Sequence, residues 1–315
     1  MSAALAPGAE AGPASQPGAV GFIGLGKMGL PMASCLLAGG HGLLAFDTSE
    51  AAVSALREVP GPGPLEVASS AAEVAARSDV MVLMLPTSAI IGQVMREGGC
   101  LAALRPGTLV IDMGSSIPAE TRKLAAELAE RGASLVDAPV SGSVVKARAG
   151  TLAIMAGGDA AAVDRAMPLL SCMGEKVIRT GDVGSAHAMK ALNNFVYAAG
   201  LLASVEAVRM AERLGLDQGI LADVMNASSG RNVATETKLH QHILSGAYAG
   251  GFQIGLQRKD LETAGAIAEE TGFPARSLAL CREIWSEAVE ALGPTADNTE
   301  IHRHLVGGRA PLPDH

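Results

Sequence analysis

A chain of 315 residues, 49% of them hydrophobic, carries enough apolar surface for two cores, so two domains are expected. Its net charge of -8 and aromatic share of 3% argue against a nucleic-acid binder, which needs cations against phosphate and rings on which bases stack. The four cysteines, Cys35, Cys100, Cys172 and Cys281, are far apart and form no CxxC pair, which suggests reduced thiols; Cys35 and Cys281 fall on apolar helical faces and are expected to be buried.

The first 18 residues are rich in Ala, Gly, Pro and Ser and bury too little to fold alone, so a disordered tail is expected at 1–18. No Lys or Arg precedes Lys27, so the segment lacks the basic region of a secretory signal and the arginines of a transit peptide. A cytoplasmic location is the expectation. The most apolar long segment, Ala191 to Ala211, is interrupted by Asn193, Asn194, Glu206 and Arg209, so no membrane span is expected.

Val20 to Ile23 reads as a short strand, and the run Gly24, Leu25, Gly26, Lys27, Met28, Gly29 leads from it into a helical pattern. In such a turn the first Gly permits the bend, the second lets the backbone approach a pyrophosphate, and the third lets helix and strand pack closely. The helix N-terminus offers N–H groups to the anion. With 38 glycines in the chain, spacing alone is weak, but the strand before, the helix after and an acidic residue, Asp47, about 20 residues on agree on a dinucleotide site. A carboxylate accepts hydrogen bonds from ribose hydroxyls and repels a 2′-phosphate, and Thr48 and Ser49 add no cation. NAD is therefore favoured, with NADP the alternative.

From Val20 to about Arg179 short apolar runs alternate with helical ones, the pattern of a doubly wound α/β domain around a parallel sheet, assigned to 19–181. Strands are expected at Val20 to Ile23, Gly42 to Phe46, Val80 to Leu85, Thr108 to Asp112, Ala133 to Val136, Leu152 to Ala156 and Lys176 to Arg179. Helix Ile117 to Arg131 stops at Gly132. After Gly181 no strand pattern recurs, and an all-α domain is assigned to 182–306. It opens with Ala186 to Leu214, whose faces are mostly uncharged, so burial all round is expected, in an interdomain helix that also helps form a homodimer or homotetramer. Further helices are expected at Asp217 to Ala227, Val233 to Leu244, Leu256 to Thr271 and Ala275 to Leu292, and a flexible tail at 307–315.

Four ordered segments resemble the β-hydroxyacid dehydrogenase family: GFIGLGKMGLPMA from Gly21, DAPVSGSVVKARAGTL from Asp137, GDVGSAHAMKALNN from Gly181 and FQIGLQRKDLETA from Phe252. The resemblance spans about Ala19 to Leu305. It implies a Rossmann-type domain followed by a helical one, and NAD-dependent oxidation of a small β-hydroxy acid such as 3-hydroxyisobutyrate. A semialdehyde reductase of the tartronate semialdehyde type, or a dehydrogenase of sugar acids such as threonate, stands as the alternative within the class. Imine reductases share the fold but usually lack a lysine at the position of Lys190, and a non-catalytic nucleotide-binding scaffold would have no use for Lys190, Asn194 and Ser141 together.

Lys190 and Asn194, four apart on a helix, share a face and can aim at one substrate. Apolar neighbours would lower the lysine's proton affinity and suit it to exchange a proton with a hydroxyl or carbonyl oxygen; a snorkelling surface lysine is the bland alternative. By resemblance, Ser141 and Gly142 hold the substrate carboxylate. Ser143 stands where a second Gly is common, and Lys146 where many relatives have Gly; Lys146 is either a contact for a larger acid or a solvated loop lysine. Asp137 is expected to brace the turn and not to act as an acid. The resemblance also places Leu85, Pro86 and Ser115 near the cofactor, and Lys259 reaching across from the helical domain, where an ordinary interdomain salt bridge is the other reading. His240 with His242, and His302 with His304, are spaced by two, which on a helix points the rings to different faces, so no metal is expected. Specificity is expected to depend on residues such as Asn232 and Val233.

Overall fold

The computed structural model describes residues 20–306; the tails expected at 1–18 and 307–315 lie outside the described residues. Nine strands form one sheet: β1 Val20–Ile23, β2 Leu43–Phe46, β3 Leu65–Val67, β4 Val80–Leu83, β5 Leu109–Asp112, β6 Ser134–Asp137, β7 Val140–Ser141, β8 Leu152–Gly157 and β9 Gly174–Gly181. The order β3-β2-β1-β4-β5-β6 is parallel throughout, the doubly wound Rossmann arrangement, and it puts β1 at the centre. All four residues of β1 are buried, as a strand covered on both faces requires. Val20 and Phe22 enter the core on one face and Ile23 the core on the other, following the two-residue period of a strand.

Beyond β6 the parallel expectation fails. β8 runs antiparallel to β6 and β7 and parallel to β9. β6 and β7, parted by Ala138 and Pro139, pair with β8 in one register, and the chain turns back through 142–151 to run beside both, which makes β8 antiparallel to them. β3 and β7 have three and two residues, too short to show alternation, and the sequence reading missed both. β4 ends at Leu83, two residues earlier than expected, and β9 runs from Gly174 to Gly181 because its partner β8 holds it beyond its apolar stretch.

The helices within and around the sheet are α1 Gly29–Ala38, α2 Glu50–Arg57, α3 Ala71–Arg77, α4 Ser88–Gly92, α5 Cys100–Ala103, α6 Pro118–Ala129, α7 Val144–Ala149 and α8 Ala160–Met173. Ser49, Ser70, Thr87 and Asp159 cap α2, α3, α4 and α8 by accepting first-turn N–H groups, each contact worth about 1 kcal/mol. The C-terminal unit holds α9 Ser185–Arg213, α10 Gln218–Ala227, α11 Ile254–Thr271, α12 Arg276–Leu292 and α13 Ile301–Val306. The helix expected over Val233 to Leu244 is wound as a π-helix from Thr235 to Leu244.

Within a single chain α9 is buried on one side, and its other side is left for the second subunit that the expected burial all round calls for. Leu201, Val205 and Val208 join Trp285 of α12 and Leu261 of α11 in the helical core, while Met189, Leu192, Val196 and Met210 are exposed. The helix is long and apolar enough to cross a membrane, with a mean hydropathy of 1.3 over its best window. Its contacts with α11, α12, α13 and β8 account for the apolar character of its inner face. Cys281 is buried in the helical core, whereas Cys35 is only half-buried, because it sits at the rim where α1 meets α7.

Candidate active site

The glycine turn has the shape its spacing implies. Gly24 has φ +100°, and a Cβ there would stand 2.3 Å from the Met84 carbonyl oxygen; a Cβ on Gly29 would stand 1.9 Å from the Gly24 oxygen. At Gly26 nothing lies within 4 Å of the Cβ position, so the backbone borders open space in front of the N-terminus of α1. That is where a pyrophosphate fits. Lys27 is exposed, Met28 half-buried and Leu25 buried. Asp47 follows β2, and its carboxylate accepts the Leu25 N–H at 2.6 Å and the Ser49 N–H at 2.7 Å. These bonds fix it beside the turn, at the end of a strand where a ribose can meet it.

A second cluster joins the two units of the chain. Asp260, on α11, is buried, and its carboxylate accepts the Ser115 hydroxyl at 2.9 Å and the Asn194 amide at 2.5 Å. Lys259 Nζ lies 3.5 Å from the same carboxylate and donates to the carbonyl oxygens of Ser115 at 2.9 Å and Pro86 at 3.3 Å. Lys259 thus crosses to the sheet through carbonyl contacts, not through an interdomain salt bridge. Ser115 stands just past the C-terminal end of β5, and a Cβ on Gly24 would lie 3.1 Å from Leu85 Cδ2, so Leu85 and Pro86 connect this cluster with the glycine turn.

Lys190 faces the same place from the second turn of α9. Burial pushes its ammonium below the ordinary lysine range, Lys259 adds to that, and the Asp260 carboxylate opposes it. Asn194 lies one turn on and is buried, and Gln257 of α11 donates to its carbonyl oxygen at 3.2 Å. Sequence reasoning missed Asp260. The signal was present, an acid directly after Lys259 in an otherwise amphipathic helix, but nothing local says that its partners lie 145 and 66 residues away.

Ser141, Gly142 and Ser143 make no hydrogen bond with this cluster among the described residues. They are connected with it through β8, which pairs with β7 and packs on α9. Gly142 has φ +143°, and a Cβ there would lie 2.9 Å from Leu152, so only glycine keeps this exposed turn. Lys146 lies 4.0 Å from Glu175 in a solvent-exposed pair, which takes it away from the role of a buried substrate contact. Asn232 is also occupied: its side chain accepts the N–H groups of Ala234 and Thr235 and donates to Ser204, so it docks the π-helix on α9 and does not stand free in a cleft; Val233 is exposed.

Asp137 braces its turn. Its two carboxylate oxygens accept the N–H groups of Gly184 at 2.7 Å and His187 at 2.9 Å, capping α9 from β6. His240 pairs with Asp223 at 2.9 Å and His302 with the Tyr248 hydroxyl at 2.9 Å, and no group of three or more His, Cys, Asp or Glu side chains among the described residues is placed to hold a metal.

Comparison with known proteins agrees with this arrangement. Residues 19–181 match the family described as the NAD binding domain of 6-phosphogluconate dehydrogenase, and residues 184–305 that described as the NAD-binding domain of NADP-dependent 3-hydroxyisobutyrate dehydrogenase. The chain is 39% identical to 2-(hydroxymethyl)glutarate dehydrogenase of Eubacterium barkeri, over 87% of this chain and 90% of the relative. It is 38% identical to the NAD-dependent L-serine dehydrogenase of Pseudomonas aeruginosa, over 83% and 89%. Among solved structures, 3-hydroxyisobutyrate dehydrogenase of Mycobacterium tuberculosis with L-serine superposes with a TM-score of 0.83 at 32% identity, covering 92% of this chain and 99% of that one. With a nucleotide turn at the head of α1, a half-buried lysine on α9 near Asp260 and relatives matched over most of their length, the chain belongs to the β-hydroxyacid dehydrogenase family, oxidoreductases that act on CH–OH groups with a nicotinamide cofactor.

Proposed function

We infer that the protein oxidises a short carboxylic acid bearing a primary hydroxyl on its β carbon, using NAD, with Lys190 as the proton acceptor. The observation that carries this reading is the desolvated Lys190 beside Asn194 and Asp260, at the junction of the two units. When bound, NAD supplies the hydride acceptor. Lys190 takes the hydroxyl proton as the carbon becomes a carbonyl, and in the reverse direction its ammonium returns that proton to the oxygen. Asn194, held by Asp260, orients the oxygen between them. Ser141 and the N–H groups around Gly142 and Ser143 clasp the carboxylate. Asp47 receives the ribose hydroxyls, the turn from Gly24 to Gly29 the pyrophosphate, and Leu85, Pro86, Ser115 and Lys259 border the nicotinamide end.

The substrates named for the relatives support the class: L-serine, 3-hydroxyisobutyrate and 2-(hydroxymethyl)glutarate all carry a hydroxymethyl group on the carbon next to a carboxylate. The test is NAD reduction with 3-hydroxyisobutyrate, 3-hydroxypropionate, serine, glycerate and threonate, each beside its methyl ester or amide. Hydrogen bonds to a charged group are worth about 1.5–3 kcal/mol, so the neutral compounds should lose at least about tenfold in kcat/KM. Equal activity on the neutral compounds would remove the carboxylate role of Ser141 and Gly142.

The exposed apolar face of α9 supports a homodimer built on this helix, since Met189, Leu192 and Val196 form one stripe at helical spacing. Val196→Glu should shift the mass measured by light scattering to that of the monomer; an unchanged mass would move the interface elsewhere. Four free cysteines suit a reducing compartment such as the cytoplasm.

A further inference from the structure

Beneath Lys190, on the side of α9 turned to the sheet, lies a buried polar cluster that takes no part in the chemistry above. His187, three residues before Lys190 and 1% exposed, stands between two strand-end carboxylates. Its Nδ1 lies 2.8 Å from Thr121 Oγ1 on α6 and 3.8 Å from Asp137 Oδ2, and its Nε2 lies 3.7 Å from Asp112 Oδ2. Asp112 is held in turn by the Gly114 N–H at 2.9 Å and the Ser116 hydroxyl at 2.7 Å. The next residue, Ser115, is the one that bonds to Asp260.

The Thr121 hydroxyl joins the ring to α6, 2.8 Å from Nδ1 and 3.1 Å from the carbonyl oxygen of Ile117, four residues back in the helix. Nε2 has no hydrogen-bond partner and faces the Asp112 carboxylate oxygen that Ser116 engages. The other charged groups bordering the cluster are Arg96 and Glu120, which line the cavity that Asp112 and Thr121 share, and Arg122, which packs on Gly184.

We propose that His187 is the positioning residue that, through Thr121, Asp137 and Asp112, ties the first turn of α9 to β5, β6 and α6 and so sets the place of Lys190. This rests on the reading of Lys190 as proton acceptor. Through Asp112 and Ser115 the same cluster holds Asp260, so both sides of the catalytic group are referred to the sheet.

The test is kinetic. His187→Ala should lower kcat about 100-fold, the order that a displacement of about 1 Å costs, while KM for NAD stays within about twofold. Thr121→Val, which removes only the hydroxyl that meets Nδ1, should lower kcat about tenfold and serves if the alanine variant does not fold. Unchanged kcat, or kcat and the KM for NAD moving together, defeats the positioning role. Lys190→Ala separates the two readings: if it remained active the role of Lys190 would fall, whereas an inactive Lys190→Ala beside an unimpaired His187→Ala would defeat the positioning role alone.

Discussion

Asp260→Asn is the most informative single change, because it keeps the shape of the side chain and removes its charge. The wild-type carboxylate accepts from Ser115 and Asn194, lies 3.5 Å from Lys259 Nζ, and has a side chain only 4% exposed. An amide offers these three donors a single acceptor oxygen and points an NH2 group at one of them. A buried donor left unpaired costs about 1–3 kcal/mol, and an ammonium costs more, so a loss of about 2–4 kcal/mol is expected. For a chain of this size that lowers Tm by about 3–6 °C. The kinetic effect has a definite sign. Burial depresses the proton affinity of Lys190 and Asp260 opposes the depression, so removing the carboxylate lets the ammonium release its proton at lower pH. Oxidation needs the free amine, so the rising limb of kcat/KM against pH should move to lower pH. The assay is NADH formation with the preferred hydroxy acid from pH 5 to 10, beside thermal unfolding of the same sample. A limb that stays in place or moves to higher pH would refute the coupling of Asp260 to Lys190.

Lys190→Met should lower turnover by about two to four orders of magnitude while NAD binding, followed by fluorescence titration, is retained. The same variant should unfold at an equal or higher temperature near pH 7: the folded lysine releases its proton below the unfolded value of 10.5, so its burial opposes folding at low pH and the penalty fades as pH rises through the folded value. Gly29→Ala places a methyl 1.9 Å from a backbone oxygen and should destabilise the apoprotein as well as abolish NAD binding, whereas Gly26→Ala meets nothing within 4 Å and should weaken NAD binding with apoprotein Tm unchanged; equal Tm values for the two would contradict the packing at Gly29. Asp47→Asn with Thr48→Arg should weaken or reverse a preference for NAD over NADP, measured as the ratio of kcat/KM values, and a wild-type enzyme more efficient with NADP would reject the role given to Asp47.

Local order sufficed wherever one short segment carries its own constraint. The glycine turn between β1 and α1 is legible because backbone contacts of 2.3 and 1.9 Å at Gly24 and Gly29 admit no side chain, and the central strands because burial on both faces leaves only apolar residues. Lys190 and Asn194 could be paired because helical geometry fixes residues four apart on one face. What α9 packs against is not local, so the sequence did not separate the side that meets the helical core from the stripe at Met189, Leu192 and Val196 that the chain leaves exposed. β7, two residues long, exists only because β8 returns beside it. Asn232 looked free for a substrate, and only the docking of the π-helix on α9 occupies its amide. The sequence alone therefore determined the nucleotide turn, the order of the two units and the shared face of Lys190 and Asn194. Asp260 bridging Ser115 and Asn194, and His187 between Asp112 and Asp137, were decided by the tertiary structure, because hydrogen bonds between residues 50 to 145 positions apart depend on how α9 and α11 settle against the sheet, which no periodicity within either helix encodes.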